Sequence, residues 1–225
     1  MHLEAIAKSD AAWAIIRAMG RGVTGDEGTV YDHGINDMTG MSHIKYYQTW
    51  TGMLQRCYSA KYLEKHTTYK GCSVCPEWLY LSVFHAWMQA HDGYWEGLEL
   101  DKDILVIGNK VYSPQTCMCV SHAVNVLLPD SGATRGEWAQ GVHFDKPMGK
   151  FEAQIAIDGK VKNLGLFDSE DEAEEAYLAA KSDNIRRTID LLPSDPYHEP
   201  TRQGLARHAD RFSPRSDMLS SSSGC

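Results

Sequence analysis

Cys72-Ser73-Val74-Cys75 sets two thiols two residues apart, a separation from which both thiolates can reach one tetrahedral metal. Cys117-Met118-Cys119 is a less usual second half of such a site, and Cys57 competes with Cys119 for the fourth position. Cys72, Cys75 and Cys117, with Cys57 or Cys119, therefore read as a structural zinc site or as small buried hydrophobes. A zinc staple would add folding free energy directly to a small core. A disulfide framework fits less well. The start, MHLEAIAKSDAAWAIIRAMG, has acids near its beginning and no central apolar block, and no run approaches the roughly eighteen apolar residues of a membrane span. The expected compartment is the cytoplasm, where thiols stay reduced, with no membrane partner. Cys225, on the tail, belongs to neither arrangement.

Charge is the second chemical signal. The net charge of -8 argues against a polyanionic partner, because Lys and Arg supply most non-specific DNA affinity. The distribution is uneven, however. Residues 140–165 hold Lys146, Lys150, Lys160 and Lys162 against Asp145, Glu152 and Asp158, whereas residues 168–175 hold six acids. A fold that puts the acids on one element and the lysines on another would leave one face able to meet DNA.

The elements that must position these residues follow from periodicity. Residues 1–30 read as a helix over about Leu3–Met19 followed by Gly20, Gly22, Gly25 and Gly28. From Ser42, the residues Ile44, Tyr47, Trp50, Leu54 and Tyr58 recur at three- and four-residue steps, which predicts a helix with an aromatic face. Pro76 suits a first helical position, so a second helix is expected to open there and run through EWLYLSVFHAWMQA, burying Leu81, Phe84, Trp87 and Met88. Leu100–Ile107, a turn at Gly108-Asn109 and a strand from Lys110 suggest a hairpin, and Ser121–Leu128 a short helix. Gln140–Phe144, Phe151–Ile157 and Val161–Phe167 then make three strands. Ser169 with Glu172 forms a capping box for a helix whose Ala173, Ala176, Tyr177 and Ala180 cover one side of the sheet. From about Leu192 the chain has four prolines and ends SSSSGC, so a largely unstructured tail is expected.

Leu100-Asp101-Lys102-Asp103-Ile104, Gly108-Asn109, Tyr112-Ser113-Pro114, Cys117 and Asn125 resemble the metal-binding ββα element of HNH nucleases. The blocks Trp50-x-x-Met53-x-x-Arg56-Cys57-Tyr58 and Tyr69-Lys70-Gly71-Cys72-Ser73-Val74-Cys75-Pro76-Glu77-Trp78 are also similar to phage proteins identified as HNH endonucleases, and the likeness covers roughly residues 31–130. The resemblance implies hydrolysis of a phosphodiester with a divalent metal, magnesium or manganese. It makes Asp101 the metal carboxylate, Asn125 or His122 the second ligand, and Asn109 the shaper of the turn. Where the nuclease pattern has its histidine base, this sequence has Lys102, and a protonated lysine cannot take a proton from water. Either His122 or Asp103 does that work, or the unit binds DNA without cutting it and Asp101, Lys102 and Asp103 are solvated hairpin charges.

Gly141-Val142, Gly149-Lys150-Phe151, Ala153, Ile155, Leu164-Gly165-x-Phe167, Ala173, Ala176, Tyr177 and Ala180 resemble the Apetala-type, ethylene-response-factor DNA-binding domain. In that family the open sheet face enters the major groove with arginines and tryptophans. The corresponding places here hold Gln140, His143, Asp145, Gln154, Ala156 and Asn163, with Lys146, Lys150, Lys160 and Lys162 as compensating cations. The expected fold is α+β: an extension over 1–30, an HNH-like unit with flanking helices over 31–130, a three-stranded antiparallel sheet on one helix over 136–182, and a helix end and tail over 183–225. Three functions follow from it: a phage HNH-family endonuclease on double-stranded DNA, homing type included; an inactive DNA-binding or regulatory protein; or a phage protein that grips and inhibits a host protein.

Overall fold

The computed structural model describes residues 29–38, 45–91, 97, 99–128 and 137–213. The expected helix over Leu3–Met19, Ile44, residues 92–96 and the last twelve residues lie outside the described residues. The architecture is mixed helix and sheet and divides into two compact units, residues 1–126 with 194–201 and residues 127–193 with 202–225.

In the first unit, α1 (Tyr47–Tyr58) buries Trp50, Met53, Leu54 and Cys57, and α2 (Ala60–Lys65) follows with Ser59 as its cap. The Trp50 indole N–H donates to the Trp78 carbonyl at 2.8 Å, so the largest side chain on α1 is satisfied as well as buried. The second helix does not run unbroken from Pro76. A 3₁₀ turn over Pro76–Leu79 gives way to extended Tyr80, and α3 (Leu81–Gln89) starts afresh. Ile35 causes the break: its N–H donates to the Leu79 carbonyl at 2.7 Å and its carbonyl accepts from Leu81 N–H at 3.0 Å. These groups would otherwise enter a helical ladder. The expected core positions Leu81, Phe84, Trp87 and Met88 are nonetheless all buried.

The expected hairpin is not formed. β2 (Glu99–Asp101) pairs antiparallel with β4 (Met118–Val120), while β3 (Val111–Tyr112) pairs parallel with β1 (Ser73–Val74). Residues 102–108 are an irregular connection held by side chains. The Asp101 carboxylate accepts from the Asp103 and Ile104 amides, 2.7 Å each, a local bond that competes with strand pairing. The order strand, connection, strand, then α4 (His122–Asn125) places the short helix directly after β4.

The second unit is a three-stranded antiparallel sheet in the order β5 (Val142–Asp145), β6 (Lys150–Ile157), β7 (Lys160–Phe167), covered by α5 (Glu170–Leu191). The capping box at Ser169 and Glu172 is present, and Ala153, Ile155, Ala173 and Tyr177 are buried between sheet and helix. Gly141, at φ +75°, is required: a Cβ there would lie 2.1 Å from the Tyr177 ring. Between Ala153 and Gln154 the register slips by one residue, so Ala153 faces Gly165 but Gln154 faces Asn163, with Leu164 as the extra residue.

The expected unstructured tail is corrected by α6 (Glu199–Phe212). Pro200 stands in its first turn, where no amide donor is needed. Asp195 accepts from the Tyr197 and His198 amides at 2.9 Å and fixes the chain on its way into that helix. In the second unit, Arg202 donates to the Ile189 and Leu192 carbonyls at 2.6 and 3.0 Å and closes the end of α5. Ser182 donates to the Ala209 carbonyl, with Ile185, Leu205 and Ala209 fully buried. The buried positions of α6 are Thr201, Gly204, Leu205, His208 and Ala209, mostly small or polar residues, which is why composition misses the helix.

Candidate functional site

Glu99 begins β2 and pairs with Val120, the last residue of β4, so its side chain stands beside the start of α4. Ser121 caps that helix through the Val124 amide. Three-residue spacing puts His122 and Asn125 on one face of α4, and both meet Glu99. His122 Nδ1 lies 2.8 Å from Oε1, and Asn125 Nδ2 donates to Oε2 at 2.5 Å. Against a carboxylate, Nδ1 must carry the proton, which leaves Nε2 as the ring's accepting nitrogen. The His122 side chain is 74% exposed and that of Glu99 37%, so solvent and a large substrate can reach the pair.

Sequence reasoning brought forward His122 and Asn125 but missed Glu99, which precedes the Leu100–Ile104 block. The available signal was its position two residues before Asp101, which strand alternation puts on the same face. Asp101 itself has one oxygen committed to two backbone amides, and burial, partly offset by those bonds, raises its carboxyl above the usual carboxylate range. Lys102 is buried. It is 8% exposed, its ammonium lies 2.6 Å from Asp103 and donates to the Asn109 carbonyl at 3.1 Å, and it sits 5.9 Å from the Tyr69 ring centroid. It holds the connection between β2 and β3 from inside, so the solvated-charge reading of Lys102 is corrected too.

The cysteines divide among core contacts. Cys57, Cys72, Cys117 and Cys119 are buried and Cys75 is half-buried, with Cys119 Sγ 3.4 Å from Met88 Sδ. Burial pushes the Cys57, Cys75 and Cys117 thiols up to about 12, with the neighbouring Cys72 thiol adding to the effect at Cys57. Among the described residues no group of three or more Cys, His, Asp or Glu side chains is placed to hold a metal ion.

The sheet of the second unit has one side covered by α5 and one open. His143, Glu152, Gln154, Ala156, Val161, Asn163 and Leu166 share the open side by strand alternation and register. His143 Nε2 lies 2.8 Å from Glu152, which also accepts from Asn163. Lys160 and Lys162 pair with Ile157 and Ile155 and therefore stand on the α5 side, exposed at the edge of the sheet. This corrects their expected place. Without the slipped register, Lys162 would face Ala156 on the open side. Lys150 keeps the open-side position but lies 3.0 Å from Asp168, and Lys146 is exposed in the turn between β5 and β6. Gln140 accepts from Lys181 of α5 at 3.2 Å. The acids of residues 168–175 do gather on and before α5: Glu172 in the capping box, and Glu170 accepting from the Ala139 amide.

Among the described residues no helix is long and apolar enough to cross a membrane. No protein-family profile, curated protein or solved structure matches the chain.

Proposed function

We propose that the chain is a double-stranded-DNA-binding protein whose first unit hydrolyses phosphodiesters with His122 as general base. The Glu99–His122–Asn125 cluster supports this reading: an exposed imidazole with one nitrogen tied to a carboxylate and the other without a hydrogen-bond partner among the described residues, on a short helix that follows two antiparallel strands. In the reaction, a water proton passes to Nε2 as the water oxygen bonds to phosphorus. The phosphorus–ester oxygen bond breaks, and the leaving alkoxide takes a proton from solvent. A positioned base contributes about 10²–10⁴-fold to such a step. A divalent metal, magnesium or manganese, is the usual electrostatic partner in this chemistry, and it enters this reading as an added component. In the second unit, Gln154 and Asn163 are the side-chain types that pair with adenine edges in a major groove.

A second reading, that the chain grips a host protein instead, is favoured by the open sheet side, where Val161 is 70% exposed and Leu166 37% while the Lys150 cation is already paired. Incubating the full-length protein with supercoiled plasmid, with and without magnesium or manganese, separates the two. Nicking that is lost in His122→Ala supports the hydrolase. A mobility shift without nicking leaves an inactive DNA-binding protein, and neither effect leaves the protein partner.

A further inference from the structure

We infer that Glu99 is a positioning residue and that Asn125 acts through it, so that the order of influence runs Asn125 to Glu99 to His122. The inference rests on the reading of His122 as base but makes a claim of its own about the imidazole. The two contacts fall on different oxygens of one carboxylate: Asn125 Nδ2 holds Oε2 at 2.5 Å, and Oε1 is thereby aimed at His122 Nδ1, 2.8 Å away. Each end is anchored by backbone. Glu99 is fixed by pairing with Val120, and His122 and Asn125 by the Ser121-capped turn. A free neutral histidine side chain favours the proton on Nε2, which would point a donor, not an acceptor, toward solvent. The carboxylate reverses that preference, because it can only accept. Since His122 is largely exposed, burial does not impose the tautomer, and the Glu99 carboxylate is the contact that does. Asn125 is therefore assigned to orienting Glu99 through its amide nitrogen, in place of the metal-ligand role suggested for it by resemblance.

The test reads the ring nitrogens themselves. Full-length protein with ¹⁵N-labelled histidine rings is studied at a pH where His122 is neutral, with its signals identified by their loss in His122→Gln. The wild type should show Nδ1 protonated and Nε2 bare. Glu99→Ala should return His122 to the Nε2-protonated form without changing the far-ultraviolet circular dichroism, and Asn125→Ala should give a mixture of the two forms. A wild-type His122 already protonated on Nε2 overturns the inference whatever the plasmid assay shows, as does a tautomer unmoved by Glu99→Ala. If the tautomer behaves as expected but no plasmid is nicked with any divalent metal, the positioning claim stands and the hydrolase reading fails. Where nicking is present, Glu99→Ala should lower it at least tenfold, and Glu99→Gln, which retains an acceptor oxygen for Nδ1, should recover part of the loss.

Discussion

Lys102 and Asn109 hold each other by reciprocal bonds: the Lys102 ammonium donates to the Asn109 carbonyl at 3.1 Å, and the Asn109 side-chain amide donates to the Lys102 carbonyl at 2.8 Å. The same amide group also donates to the Val111 carbonyl and accepts from its N–H, so one buried asparagine serves four bonds that close residues 102–111 into a loop. Asn109 was expected to shape a two-residue hairpin turn. It shapes a wider loop instead, with its side chain in place of the missing strand partners.

Asn109→Ala takes the side-chain partner from the Lys102 carbonyl and the Val111 N–H, while the Val111 carbonyl keeps the Thr116 hydroxyl, and should lower unfolding stability by roughly 1–3 kcal/mol. Lys102→Met, which keeps the stem but removes the cation, should cost less than Asn109→Ala and leave any plasmid nicking intact per folded molecule. Urea unfolding of both variants beside the wild type checks this; loss of nicking in a fully folded Lys102→Met would return the lysine to the catalytic group.

Asp101 gives a pH prediction. Burial raises its folded-state value above the 3.8 of a free aspartate, so ionising it costs more in the folded protein than in the unfolded one. Its charge therefore subtracts stability as pH rises through the interval from about 3.8 to the higher folded value, and that stability is present below it. Asp101→Asn keeps an acceptor for the Asp103 and Ile104 amides and removes the titration. It should flatten the stability profile over that interval and be at least as stable as wild type near pH 7. Asp101→Ala, without the acceptor, should lose about 1–2 kcal/mol. Thermal melts from pH 4 to 8 distinguish the two.

The thiols should be inert while the protein is folded. With Cys57, Cys75 and Cys117 held near 12 by burial, few thiolates exist at pH 8, and reaction with an aromatic disulfide reagent should wait for unfolding. Cys225 lies outside the described residues and serves as the internal comparison. Elemental analysis of wild type and Cys72→Ser should show no stoichiometric zinc in either. Stoichiometric zinc lost in Cys72→Ser would require the thiols to gather more closely than they do here.

Salt dependence tests the open sheet side. If DNA lies against it, Lys150→Ala should reduce the slope of log affinity against log salt by about 0.9, the release of one counterion. Lys162→Ala, on the α5 side, should leave the slope unchanged. Equal effects from both would mean that DNA approaches the edge of the sheet rather than its open side.

Local chemistry was legible in the sequence where it acts between neighbours. The Ser169–Glu172 box, the α5 core residues Ala173 and Tyr177, and the three strands separated at Pro147–Gly149 and Asp158–Gly159 all follow from adjacent residues. The break at Tyr80 did not, because it depends on Ile35, forty-five positions earlier. α6 was hidden by proline content, which is harmless in a first turn, and by a buried stripe of Thr201, Gly204, Leu205, His208 and Ala209 that scores as polar. In the candidate site, His122 and Asn125 were recognisable by type, but Glu99 acquires its role only from the pairing of β2 with β4, a sixteen-residue excursion that replaced the expected hairpin.

The extra residue at Leu164 acts as a parity switch for the rest of β7. Deleting it would leave Asn163 opposite Gln154 and Lys162 opposite Ile155, whereas keeping it and drawing it into regular pairing with Gln154 would swing Lys162 round to face Ala156 while Asn163 turned inward. The electrostatic face of this sheet is therefore set by how one surplus residue is accommodated and not by how many lysines the strand carries, so a single change of pairing could recharge a surface with every residue retained.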